Sequence, residues 1–183
     1  MLVEVRWHGR GGQGAVTAAE LLAHAAIDEG LYAQAMPSFG AERRGAPVQA
    51  FNRLSDKPIR TRGSIKSPDV IVVIDETLLK LSEVVEGIKP ETSFIVCTSK
   101  PPAELKKMLG LECKVASVNA LKIAREILKV PITNTSMLGA FAKVVGIVKL
   151  DTLLNKVEER FGPKLGPRNV EAVKRAYEET EVV

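Results

Sequence analysis

Apolar positions along the chain follow two periods, and the switches between them mark out the elements. Leu2 to Trp7 is β-prone, and Asp69-Val70-Ile71-Val72-Val73-Ile74-Asp75 is β-branched almost throughout, as a strand buried on both faces should be. Ser93 to Cys97 and Cys113 to Val118 are further short apolar runs of strand length. Between these runs lie helical patterns: Ala15 to Glu29, Leu78 to Ile88, Ala103 to Leu109, and a segment N-capped by Asn119 through Leu128. Strands alternating with helices predict a parallel sheet with helices packed on it.

Two regions depart from that alternation. Leu31 to Met36 predicts a second strand, stopped by Pro37. An irregular, glycine-rich stretch follows, from Ser38 to Pro47. Val48 to Leu54 then alternates at period two, Ser55-Asp56-Lys57-Pro58 predicts a turn, and Ile59 to Arg62 predicts a return strand. The other departure begins at Pro131. Asn134 to Val145 is apolar almost all round, which predicts a buried helix, or one that a partner covers. Asp151 is expected to cap a helix over Thr152–Phe161, with Gly162-Pro163 ending it. Gly166-Pro167 introduces a last helix carrying Val170, Val173 and Tyr177 on one side. The expected fold is α/β: one domain over 1–183 with a mainly parallel open sheet flanked by helices, an antiparallel excursion near residues 46–62, and a helical C-terminal part.

Composition narrows the function classes. At 183 residues and 45% hydrophobic content the chain can build a substantial core, with Val, Ile, Leu and Ala filling it because aromatics are only 4%. No secretory pattern is evident, so a cytoplasmic location is expected. The net charge of +4 admits an anionic ligand. Nucleic acid is disfavoured, since the basic region from Arg43-Arg44 to Arg60-Thr61-Arg62 has no aromatic-rich stacking pattern. Cys97 and Cys113 form no C-x-x-C pair, so neither an iron–sulfur cluster nor a cysteine-based zinc site follows from this chain alone; both are expected in the core. His8 and His24 are poorly placed as a metal pair, and His24 is expected to be structural.

The candidate chemistry centres on Gly9-Arg10-Gly11-Gly12-Gln13-Gly14 between the first strand and the first helix. Glycines there let backbone N–H groups turn toward an anion, and the helix start adds partial positive charge. The G-x-G-x-x-G spacing also satisfies the dinucleotide fingerprint. A nicotinamide cofactor, however, needs an acidic residue at the tip of the second strand, which here is Gln34-Ala35-Met36-Pro37-Ser38. Arg43 and Arg44 sit in the next loop and follow a strand end, which places them at the same sheet edge. Gly9, Arg10, Gly11, Gly12, Gln13, Gly14, Arg43 and Arg44 are therefore the candidate anion or partner contacts. Asp75, Ser99 and Asn119 end other strands there, where capping and functional readings both apply. No catalytic triad, paired-carboxylate site or metal cluster can be drawn from the spacing.

These stretches resemble the gamma subunit of 2-oxoacid:ferredoxin oxidoreductases, closest to the pyruvate and 2-oxoisovalerate group. The resemblance rests on Arg6-Trp7-His8-Gly9-Arg10-Gly11-Gly12-Gln13-Gly14, Phe39-Gly40-Ala41-Glu42-Arg43-Arg44-Gly45-Ala46-Pro47-Val48, Arg53-Leu54-Ser55-Asp56-Lys57-Pro58-Ile59, Pro68-Asp69-Val70, Pro131 to Ala140, and Asn169 to Ala172. It implies a complex that oxidatively decarboxylates a 2-oxoacid with coenzyme A, giving acyl-CoA, CO2 and reduced ferredoxin. It further implies alpha, beta and delta partner subunits that carry thiamine diphosphate, Mg and iron–sulfur clusters, no cofactor bound by this chain alone, and a gamma chain that helps to hold coenzyme A and to assemble the complex. The isolated chain is expected to self-associate if the apolar 137–148 region lacks a cover. A stand-alone nucleotide-dependent oxidoreductase and a pure assembly module are the rival classes.

Overall fold

A computed structural model describes residues 1–38 and 43–183. Phe39, Gly40, Ala41 and Glu42, within the irregular stretch noted above, lie outside the described residues. Seven strands form one sheet in the order β2-β3-β1-β4-β5-β6-β7. The parallel centre is β1 (Leu2–Arg10), β4 (Val70–Val73), β5 (Ser93–Cys97) and β6 (Lys114–Val118). β2 (Tyr32–Pro37) and β3 (Pro47–Ser55) extend one side, both pairs there being antiparallel. β7 (Glu181–Val182), which the sequence pattern does not announce, pairs antiparallel with β6 at the other edge.

Helices sort by face. α1 (Ala15–Asp28), α5 (Asn134–Val145) and α6 (Leu150–Glu179) cover one side, over a core that includes Val5, Trp7, Leu54, Val72 and Ile95. Short α2 (Ser82–Val85) and α3 (Pro102–Leu109) lie on the other side, over Ile71, Val73, Phe94, Val96 and Val115. Adjacent residues of β4 and β5 divide between the two cores, which is why those strands are continuously apolar. Trp7 anchors the larger core. It stacks on Phe141 with ring centroids 6.1 Å apart, and its indole N–H donates to Asn52 Oδ1 at 2.8 Å. Asn52 Nδ2 in turn donates to the Ala19 and Gln34 carbonyls, so this buried amide is fully satisfied.

Several expectations are corrected. No strand forms over 59–62, because β1 and β2 already occupy both edges of β3. The helix expected over 78–88 is broken into a 3-10 turn (Glu76–Lys80) and α2, separated by the extended backbone of Leu81. After Asn119, whose Oδ1 accepts from the Lys122 amide, α4 (Ala120–Ile123) widens into a π-turn (Ala124–Leu128). α6 begins before Asp151, which lies in its first turn rather than at its cap. The expected break at Gly162 is present, its φ of 72° and ψ of −176° dividing α6 into two helices across a kink, but the second resumes directly after Gly162 rather than at Gly166-Pro167. His24 is exposed, whereas Cys97 and Cys113 are buried as expected. α5 needs no outside cover: Met137, Leu138, Ala140 and Phe141 are fully buried beneath α6, α1 and the sheet. No described helix is long and apolar enough to cross a membrane.

Candidate functional site

The carboxyl ends of β1, β4, β5 and β6 open onto one edge, the place where open α/β sheets bind ligands. β1 runs past Gly9 to Arg10 before the chain turns. Gly11 then bridges in parallel to Arg44, the Gly11 amide donating to the Ala46 carbonyl at 2.8 Å and the Gly45 amide to the Gly11 carbonyl at 3.0 Å. A Cβ on Gly11 would collide with the carbonyl oxygen of Arg43. Gly14 N-caps α1 at φ 81°, and a Cβ there would run into the side-chain amide of Asn134. Those two glycines are required by close approach, and Gly14 also by its backbone conformation.

Arg10 and Gln13 lock this corner. Arg10 Nε and Nη2 donate to Thr77 Oγ1 at 3.2 and 2.9 Å, Nη1 donates to the Gly45 carbonyl at 3.1 Å, and Nε lies 3.5 Å from Asp75 Oδ2. Gln13 Oε1 accepts from the Arg10 amide, while its Nε2 donates to Asp75 Oδ2 at 2.8 Å. Asp75 also caps the following turn through the Thr77 amide. Partial burial opposes the charge on Asp75, but hydrogen bonds from Thr77 and Gln13 together with the Arg10 cation outweigh it, so its pKa is lowered.

The structure thus brings together every candidate of the first loop and lays the backbone of Arg43 and Arg44 beside it. It divides their roles. The Arg10 guanidinium is aimed at protein acceptors and ties Gly45 to the Asp75–Thr77 turn that follows β4. The amides of Gly11 and Gln13 have carbonyl partners, whereas those of Gly12, Gly14, Ala15 and Val16 have no acceptor among the described residues. Arg43 and Arg44 are exposed.

A cleft of about 760 Å³ lies at this edge. Gln13, Asp75, Thr98, Ser99, Lys122 and Arg125 are among its lining residues; Arg43 and Arg44 are not. Its carboxylates are engaged: Asp75 as described, Glu76 with Thr98 and Lys100, and Glu126 with Arg175. Lys122 and Arg125 take part in no ion pair among the described residues. The cleft therefore offers cationic and hydroxyl donors with its negative groups already neutralised, a chemistry suited to a phosphorylated or carboxylate-bearing molecule. Lys122, Arg125 and Thr98 were not singled out from the sequence. The signal that would have found them is their place just after strands ending at this edge, the same logic that marked Ser99 and Asn119.

Burial pushes the Cys97 thiol up to about 11 and also raises that of Cys113, and the two lie on opposite faces of the sheet. No group of three or more His, Cys, Asp or Glu among the described residues could hold a metal ion.

A three-layer α/β fold with an anion-suited sheet edge defines a broad class, and comparison with known proteins narrows it. The chain belongs to the pyruvate ferredoxin/flavodoxin oxidoreductase family, whose match spans residues 4–179. It is 52% identical over 182 residues to the pyruvate/ketoisovalerate oxidoreductases common subunit gamma of Pyrococcus furiosus, covering 99% of this chain and 98% of that one. It is 48% identical over 180 residues to pyruvate synthase subunit PorC of Methanothermobacter thermautotrophicus, at 98% and 97% coverage. The crystal structure of the pyruvate oxidoreductase subunit PORC of Thermotoga maritima superposes with a TM-score of 0.89 at 42% identity, over 99% of this chain and 98% of that one. The same fold recurs at 22% identity and a TM-score of 0.75 within the Magnetococcus marinus 2-oxoglutarate:ferredoxin oxidoreductase, where it matches 30% of the longer chain.

Proposed function

We propose that this chain is the gamma subunit of a pyruvate:ferredoxin oxidoreductase complex, which converts a 2-oxoacid and coenzyme A to acyl-CoA, CO2 and reduced ferredoxin. The observation that carries this reading is likeness over the whole length: 52% identity to a gamma subunit across 99% of the chain. The name of that relative joins pyruvate and ketoisovalerate enzymes through one common subunit, so a branched-chain complex sharing this chain is the same reading with different partners. The partners are alpha, beta and delta subunits in the cytoplasm, with ferredoxin as acceptor. Thiamine diphosphate, Mg and the clusters belong to those subunits, in keeping with two buried, high-pKa cysteines here.

Within the complex, the carboxyl-edge cleft contacts the phosphates of coenzyme A. Lys122 and Arg125 supply charge, and the amides of Gly12, Gly14, Ala15 and Val16 supply donors at the start of α1. Gly9, Gly11, Arg10 and Gln13 hold that geometry, while Arg43 and Arg44 extend the contact toward coenzyme A or a partner subunit.

Co-purification from the native host tests the assignment: a thiamine-containing subunit and a ferredoxin-like subunit are expected, and recovery of neither overturns it. In the assembled enzyme, Lys122→Ala and Arg125→Ala should each raise the KM for coenzyme A about tenfold, the equivalent of about 1.4 kcal/mol, with kcat retained. An unchanged KM would leave assembly as the role of this edge. Arg43→Ala and Arg44→Ala separate their two contacts, through a raised KM or a lowered yield of complex.

A further inference from the structure

A second concavity lies beside the first turn of α1, between the segment leaving the π-turn and the kink of α6. Its walls are Val130, Ile132, Phe161 and Leu165, with Arg160 and Arg168 beside them, and it encloses about 320 Å³. Val130, Ile132 and Leu165 are 43%, 44% and 51% exposed, a concentration of large apolar side chains that the chain's own core leaves uncovered. Two backbone features present them. Lys129 adopts the left-handed conformation at φ 61°, which closes the π-turn and turns the 130–132 segment outward. Gly162 kinks α6 between Phe161 and Leu165.

No acidic residue lines the groove. Arg160 and Arg168 form no ion pair among the described residues. The geometry points to this groove as a docking site for a partner subunit's segment that presents apolar side chains flanked by carboxylates. Charge complementarity selects that occupant: two exposed guanidiniums beside an apolar floor match carboxylates next to buried side chains. A second copy of this chain, meeting the groove through a two-fold axis, would bring the same arginines against one another. The floor also connects to the first site. Asn134 lines the groove and its Nδ2 donates to the Gly14 carbonyl, so an occupant touches the residue that packs on the glycine loop.

The inference rests on the reading of this chain as a subunit of a larger complex, and the test separates the two. All subunits are co-expressed with a tag on this chain, and captured partner subunits are quantified. Ile132→Glu should reduce capture about tenfold or more, Arg168→Glu by a smaller, salt-sensitive factor, and Ile27→Glu, at an equally exposed site outside the groove, should leave it unchanged. Arg168 is exposed, so its variant keeps the fold, and an unaltered thermal midpoint verifies this for all three. Wild-type capture matched by both groove variants overturns the inference while leaving the complex intact. Absence of partners even with the wild-type chain overturns both readings. A wild-type dimer in sedimentation that Ile132→Glu converts to monomer, with partner capture unchanged, assigns the groove to a second copy and overturns the proposed occupant.

Discussion

The two faces of β1 are built on opposite principles. Val5 and Trp7 point into the helical layer and are fully buried among apolar side chains. Glu4, Arg6, His8 and Arg10 occupy the alternate positions and face a layer with little regular helix. Arg6 and His8 are as deeply buried as the apolar set, each 3% exposed. Arg6 Nε donates to His8 Nε2 at 2.9 Å, and its two terminal nitrogens reach the carbonyls of Ile65, Glu83, Val84 and Glu86. Burial lowers the pKa of this guanidinium, against the opposing pull of Glu86 and Glu83, yet arginine stays charged. The lesson is that a buried cation can stand in for secondary structure. Carbonyls left over by the short α2 and by the 56–69 segment would be orphans without it.

The comparison can be broken from either side. Trp7→Ala should cost about 3–5 kcal/mol, because it opens a large cavity and leaves Asn52 Oδ1 without its donor. Arg6→Ala should cost about 3 kcal/mol by orphaning the carbonyls, with loss of hydrogen-exchange protection confined to the 65–87 layer. Equal loss of protection in α1 would show that the two faces are not separable. Both costs can be read from chemical denaturation.

The pH dependence follows from the same face. Burial, followed by the adjacent Arg6 cation, lowers the pKa of His8 from 6.5 to about 3. The unfolded chain therefore takes up a proton that the native chain refuses. The stability held above about pH 6.5 falls by about 1.4 kcal/mol per unit as the pH drops toward 3. His8→Gln, which keeps an acceptor for Arg6, should flatten that slope between pH 6 and about 4.5; an unchanged slope would place the titration elsewhere. The smallest effect is expected at Arg10→Ala, about 1 kcal/mol, since that guanidinium is one-third exposed and its contacts are at the surface.

Legibility from sequence divides along the same line. β4 and α5 were readable because burial on all sides leaves an unbroken apolar signature, and α5 has the expected bounds, Asn134–Val145. The glycine loop and the Arg43–Arg44 segment could be brought together because both follow strand ends that point the same way. The layer over Arg6 was not readable. Its turn geometry answers to a side chain some 80 positions earlier in the chain, since Arg6 bonds the Glu83, Val84 and Glu86 carbonyls. The inward turn of Arg10 was hidden for a related reason: a glycine-flanked arginine reads as a free cation until Thr77 and Gly45 are folded against it.

Trp7 is the chain's only tryptophan, and it links Asn52 of β3 to Phe141 of α5. Its fluorescence is consequently a built-in reporter of closure between the first strand and a helix more than a hundred residues later. Emission from this fully enclosed indole should be blue-shifted when the helical layer is seated and move to the red as that layer lifts. One unlabelled optical signal therefore follows the apolar face of β1 alone. Any discrepancy between it and backbone circular dichroism during unfolding would time the departure of the cation-stitched layer on the other side.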